Sequence, residues 1–231
     1  MEITSKSRWN TWETIDWKIV EHQVFKLAKR IYRASLQGEV KLVRKLQKMM
    51  VSSYYGKLLA VRRVTQDNKG KSTAGIDGIK SLKPKERLEL VDNLTLDGKS
   101  RPTRRVWIPK PGKKEKRPLG IPTITERAKQ ALLKMALEPE WEAKFEPNSY
   151  GFRPGRSCHD AISAIFACIN KKPKYVLDAD ISKCFDEIDH KALLKKLNTI
   201  PKFHRQIKTW LKAGVVDLSG LSEAKGYNIL K

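Results

Sequence analysis

The sequence predicts a mixed α/β (α+β) fold: a helical first part, a β-hairpin with packed helices, and a strand carrying acidic residues. Three stretches carry that expectation. Apolar residues recur at helical spacing from Trp12 to Gly56, and two β-rich runs, RRVWIPKP and KRPLGIP, flank Gly112. In KYVLDADISKCFDEIDH, Lys174 to His190, Tyr175, Leu177, Ala179 and Ile181 alternate with Val176, Asp178, Asp180 and Ser182. That is the period of a strand with one apolar face.

The first ten residues read as a flexible start. Ile15, Trp17, Ile19, Val20, Val24, Leu27 and Ile31, then Val40, Leu42, Val43, Leu46, Met49 and Met50, mark two helices divided by Gly38. Lys and Arg fill their other faces. A third short helix is predicted over Ser52 to Thr65 and carries Lys57, Arg62 and Arg63. In GKSTAGIDGI, Gly70 to Ile79, the glycines Gly70, Gly75 and Gly78 permit positive φ and close backbone approach. The spacing is not that of a Walker loop. A charged helix follows from Pro84 to Leu96, and DGKSRP, Asp97 to Pro102, reads as a linker.

Arg104 to Pro122 is predicted as a hairpin whose prolines place both strands at an exposed edge. It gathers Arg104, Arg105, Lys110, Lys113, Lys114, Lys116 and Arg117. Lys supplies a point charge and Arg a bidentate fork, which suits a triphosphate or a template backbone. A long helix is expected from Thr125 as N-cap to Lys144, with Pro139 implying a break. NSYGFRPGRSCHDAI, Asn148 to Ile162, joins Tyr150 and Phe152 to Arg153 and Arg156 and enters a helix at Ser157, with Ser157 and Asp160 spaced as a capping pair. Aromatics interleaved with arginines suit a single-strand or nucleotide-backbone surface. Cys168 is expected on the inner face of that helix. On the predicted strand Asp178 and Asp180 point the same way, about 6 to 7 Å apart, and Asp189 is the expected N-cap of the helix that follows.

The charge selects the partner class. Across 231 residues Lys+Arg 48 stand against Asp+Glu 25, a net charge of +23 spread from end to end, so nucleic acid is the leading partner. Three cysteines without CxxC spacing indicate neither a disulfide framework nor a zinc site. With no signal peptide and no apolar run of membrane-spanning length, a cytoplasmic protein without membrane partners is expected.

Three blocks in order, RRVWIPKPGKKEKRPLGIPTITERAKQALLKMALEP, NSYGFRPGRSCHDAI and YVLDADISKCFDEIDH, resemble the fingers and first palm blocks of group II intron-encoded reverse transcriptases, the maturase-linked retroelement polymerases. AVRRVTQDNKGKSTAGIDGI resembles the N-terminal extension block of the same family. The resemblance covers roughly residues 12 to 215. It implies a right-hand polymerase: a helical N-terminal extension over residues 1–100, fingers over 101–173, a partial palm over 174–218 with an incomplete sheet, and an unmatched tail over 219–231. It implies Asp180 as the first catalytic aspartate and a ligand of both Mg²⁺ ions, with the Ile181 carbonyl completing the second ion's shell. Phe185 would close the sugar pocket, and Lys110 and Arg117 would hold the triphosphate. The nucleic-acid contacts implied are Arg62, Arg63, Gly75, Gly78, Arg104, Arg105, Arg153 and Arg156. The partners implied are group II intron RNA, template RNA and primer DNA.

The sequence departs from the family after Ala213. LSGLSEAKGYNILK does not resemble the expected Pro-Gln-Gly block or the Tyr-Ala-Asp-Asp hairpin, and no two aspartates are adjacent anywhere. The expectation is an N-terminal portion that binds Mg²⁺ weakly or not at all. It would not polymerise alone unless the missing C-terminal part is supplied in trans. The alternatives are a non-catalytic intron-RNA-binding module and a metal-dependent nuclease built on Asp178 and Asp180.

Overall fold

The computed structural model describes residues 9–112 and 114–217, and the backbone of 229–230. Its core is built where the apolar spacing predicts. Helix α1 (Trp17–Leu36) starts at Asp16, whose carboxylate accepts the Ile19 N–H, and buries Val20, Val24, Ile31 and Ala34. Gly38, at φ 70°, reverses the chain into α2 (Val40–Ser52). Ser53 then caps α3 (Tyr54–Arg62), which runs on into a π turn (Arg63–Asp67) and a 3₁₀ turn (Lys69–Ser72). Helix α4 (Pro84–Asn93) follows, with Pro84 in its first turn and Val91 buried.

Helix α5 (Ile124–Glu142) packs against α1, α2 and α3 through Ala128, Leu132, Leu133, Met135 and Ala136. Its N-cap is Thr123, whose hydroxyl accepts the Glu126 N–H, and not Thr125, which lies inside the first turn. Nor does Pro139 break it. The Ser35 hydroxyl donates to the Glu140 carbonyl and the Gln47 amide to the Glu140 carboxylate at 2.7 Å. Tertiary bonds from α1 and α2 thus hold the last turn beyond the proline.

Strands β1 (Thr103–Pro109) and β2 (Lys116–Ile121) form the predicted hairpin, joined at its base by β3 (Val215–Val216) and β4 (Ile229–Leu230) in the order β2-β1-β3-β4. Strand β2 is an edge along its whole length, and β1 is one beyond Arg104. Thr103 and Arg104 of β1 pair in parallel with β3, and Pro109, the one proline of β1, stands clear of that ladder. The predicted linker is likewise a fastened segment. Gln206, fully buried on α9 (Pro201–Leu211), accepts the Gly98 N–H and donates to the Lys99 carbonyl, each at 2.9 Å, and Lys129 Nζ reaches Asp97 at 2.8 Å.

Helix α6 (Cys158–Ile169) has the predicted Ser157–Asp160 capping box but buries none of its residues. Cys168 is therefore exposed, contrary to expectation, since nothing among the described residues packs on that face. The predicted strand at 174–182 also does not form. Residues 173–181 run without secondary structure, and every residue from 170 to 190 is exposed. A strand is a paired element: with no neighbour among the described residues to take its N–H and C=O groups, the segment stays solvated despite its alternation. Helix α7 (Cys184–Glu187) and then α8 (His190–Leu197) follow, the latter capped as predicted by Asp189 accepting the Ala192 N–H at 2.8 Å.

Candidate nucleotide and nucleic-acid site

The hairpin register sorts its cations by face. Arg105 lies opposite Gly120, Trp107 opposite Pro118 and Pro109 opposite Lys116 on one side. Arg104 lies opposite Ile121, Val106 opposite Leu119 and Ile108 opposite Arg117 on the other. The Lys110 N–H donates to the Glu115 carbonyl at 3.0 Å, which carries the same register one pair further. Lys110 and Arg117 therefore share a face. Arg105 stacks over Trp107 on the opposite one, with 5.6 Å to the ring centroid. Lys110 Nζ pairs with Glu115 at 2.7 Å, and this hydrogen bond with the lysine charge holds the Glu115 carboxyl below its usual range.

The glycine-rich loop is strapped to the hairpin and to α5. Arg104 donates to the Ala74 carbonyl from Nε at 3.0 Å and from its terminal nitrogen at 2.8 Å. Arg127 donates to the carbonyls of Gly70 at 2.9 Å and Thr73 at 2.8 Å. Burial draws the Arg127 pKa down, and the charge of Asp77 opposes that. Gly75 is buried with its Cα against the Thr123 backbone, where a Cβ would meet Thr123 Cα at 2.6 Å. Gly78, at φ +72°, turns in open space. The two glycines thus have different reasons to be glycine.

The remaining arginines divide into bound and free. Arg62 bridges Glu21 at 2.9 Å and Asp67 at 3.5 Å and lies 4.6 Å from the Trp17 ring centroid, while Arg63 is exposed. Arg153, with its side chain 6 % exposed, donates to both oxygens of Glu142 and to the carbonyls of Glu146 and Ser149. Its fork closes the turn after α5. Arg156 is exposed and stacks over Tyr150 at 5.5 Å. Just before Arg153, Phe152 stands fully exposed at φ 59°, a left-handed conformation that costs a non-glycine residue about 1 kcal/mol or more.

Asp180 and Ile181 lie on the unpaired stretch and Phe185 on α7, all exposed, and the Asp180 carboxylate accepts the Ile181 N–H at 2.9 Å. Its oxygens are the donor type a hard cation takes. Among the described residues, however, no three His, Cys, Asp or Glu side chains converge. The residues present therefore do not make a two-ion centre. Sequence reasoning passed over Arg127, which no spacing rule connects to Gly70. It also passed over Glu115, whose signal is that it is the single acid among the hairpin cations.

Comparison with known proteins supplies the context. Residues 12–94 match the N-terminal domain of reverse transcriptase, and residues 108–231 match reverse transcriptase (RNA-dependent DNA polymerase). Protein YkfC of Escherichia coli is 35 % identical over 70 % of this chain and 45 % of its own length. The group II intron-encoded protein LtrA of Lactococcus lactis is 37 % identical over 65 % of this chain and 26 % of its own. Maturase-like protein 1 of Euglena gracilis is 31 % identical over 78 % of this chain and 41 % of its own. The chain thus spans between about a quarter and a half of the length of these relatives. No helix among the described residues is long and apolar enough to cross a membrane. With an N-terminal helical unit, a cationic finger hairpin and both domain matches in family order, the chain belongs to the reverse transcriptases of the group II intron-encoded, maturase-linked kind.

Proposed function

We propose that this chain is the RNA- and nucleotide-gripping part of a group II intron reverse transcriptase, working in the cytoplasm on intron RNA, template RNA and primer DNA. One observation supports the reading most: the hairpin register sets Lys110 and Arg117 on the same face. A nucleoside triphosphate along that face meets a lysine point charge and an arginine fork, which neutralise its charge and orient it. Arg63, Arg105 and Arg156 are exposed or half-buried, so they stand ready for phosphates. Arg62, Arg104 and Arg153 shape the surface that presents them. Family membership implies divalent-metal use generally. In this reading Asp180 supplies one carboxylate toward Mg²⁺, and the extended stretch from 174 to 181 presents it for completion by further palm residues. Residues 1–100 act as the N-terminal extension, 101–173 as fingers and 174–218 as partial palm.

A second reading, an intron-RNA-binding module without chemistry, is favoured by α1. Opposite its buried stripe, Lys18, His22, Lys26, Lys29 and Arg33 are all exposed. They form a basic ridge along roughly four turns of helix.

Primer extension on an RNA template with Mg²⁺ and dNTPs, with RNA binding followed in the same samples, tests both. The expected result is binding that weakens steeply with salt and no extension by this chain alone. Extension that Asp180→Ala abolishes would show the catalytic set to be complete, and salt-insensitive binding would count against both readings.

A further inference from the structure

We propose that Glu115 is a built-in stand-in for phosphate that holds the hairpin cations until a highly charged anion displaces it. This rests on the reading of the hairpin as the nucleotide-binding element. Between Thr103 and Ile121 the sequence places Glu115 as the single acid among Arg104, Arg105, Lys110, Lys113, Lys114, Lys116 and Arg117. The register gives that acid a specific seat. Because Lys110 and Glu115 continue the ladder beyond Pro109 and Lys116, Glu115 lies directly across from Lys110. It lies two residues, about 6 to 7 Å of strand, from Arg117 on the same face. Its carboxylate already engages Lys110 Nζ at 2.7 Å, while Arg117 makes no ion pair among the described residues.

The pair is too exposed to matter much for stability, with side chains 35 % and 69 % accessible. Its effect is on occupancy. An anion that takes Lys110 must first displace the Glu115 carboxylate, so every ligand of that face binds more weakly by the factor the pair is worth, and the carboxylate left close by repels the most highly charged ligand most.

The test is calorimetric binding of inorganic tripolyphosphate and of inorganic phosphate to the full chain at low salt, in the parent, Glu115→Gln, Glu13→Gln and the double variant Lys110→Gln/Arg117→Gln. Glu13 is exposed and lies on the N-terminal segment, so its variant makes the same charge change away from the hairpin. Glu115→Gln is expected to bind tripolyphosphate about two- to fivefold more tightly, the range an exposed ion pair supplies. Tripolyphosphate should gain at least as much as phosphate from the removal of that charge, whereas Glu13→Gln changes neither affinity. Unchanged binding by Glu115→Gln, or an equal gain in Glu13→Gln, overturns the role of Glu115 while the anion site stands if the double variant binds more weakly. Parent-like binding by the double variant overturns the nucleotide reading of the hairpin and the proposal with it.

Discussion

Trp210 Nε1 donates to one oxygen of Glu126 at 2.6 Å, and the other oxygen of that carboxylate pairs with Lys129 Nζ at 3.2 Å. The contact ties α9 to α5 across 84 residues of sequence, with Glu126 and Lys129 side chains 5 % and 9 % exposed. Removing Glu126 leaves a buried ammonium short of a partner. Glu126→Ala is expected to lower unfolding stability by about 3 kcal/mol, read as a lower urea midpoint at unchanged slope.

Asp97 sits on the other side of the same lysine. Burial alone would raise its pKa, but the Lys129 hydrogen bond and charge and the Lys99 backbone N–H outweigh that and lower it below 3.8. The folded state therefore binds this proton less tightly than the unfolded one. The stabilisation is complete above 3.8 and is lost as pH falls through the lower folded value. Asp97→Asn should flatten the acid limb of a pH-dependent unfolding series below about pH 4, and an unchanged limb would assign it to other groups.

Alanine at the two loop glycines should separate steric from conformational need. Gly75→Ala drives a Cβ into the Thr123 backbone and is expected to cost about 2 kcal/mol or more. Gly78→Ala has room but a positive φ, and should cost about 1 kcal/mol. Thermal melts of both variants decide the order.

The paired arginines after α5 predict opposite phenotypes. Arg153→Ala loses its bonds to Glu142, Glu146 and Ser149, so the melting temperature falls. Arg156→Ala leaves the fold intact and reduces the slope of RNA affinity against salt by about one. A normal melt for Arg153→Ala would mean that its fork is not what closes the turn.

Phe152→Gly relieves a left-handed backbone and removes an exposed ring. Stability should hold or rise while single-stranded RNA affinity drops about tenfold, as expected for one lost base stack. Undiminished RNA affinity would remove Phe152 from the interface.

What was legible in the chain was what depends on neighbours close in sequence. The stripes of α1, α2 and α5, the caps Asp189 and Ser157, and the hairpin around Gly112 follow from local spacing and turn chemistry. The strand expected at Asp178 and Asp180 was not secured by its alternation, because a ladder needs a second strand that local pattern does not supply. Roles set across distance were also invisible. Nothing in DGKSRP announces that Gln206, 108 residues away, will grip Gly98. Nothing in NSYGFRPGR reveals that Arg153, unlike Arg156, turns inward to Glu142.

The strapping of the glycine-rich loop has a mechanical consequence. Arg104 extends from the base of the hairpin and Arg127 from the first turns of α5, and both hold the loop by its carbonyl oxygens. A carbonyl held on each side transmits tension, so hairpin and loop open together or not at all. Amide hydrogens of residues 70–75 should therefore exchange with the same opening free energy as those of β1, and a polyphosphate that stiffens the hairpin should slow exchange in a loop it never touches.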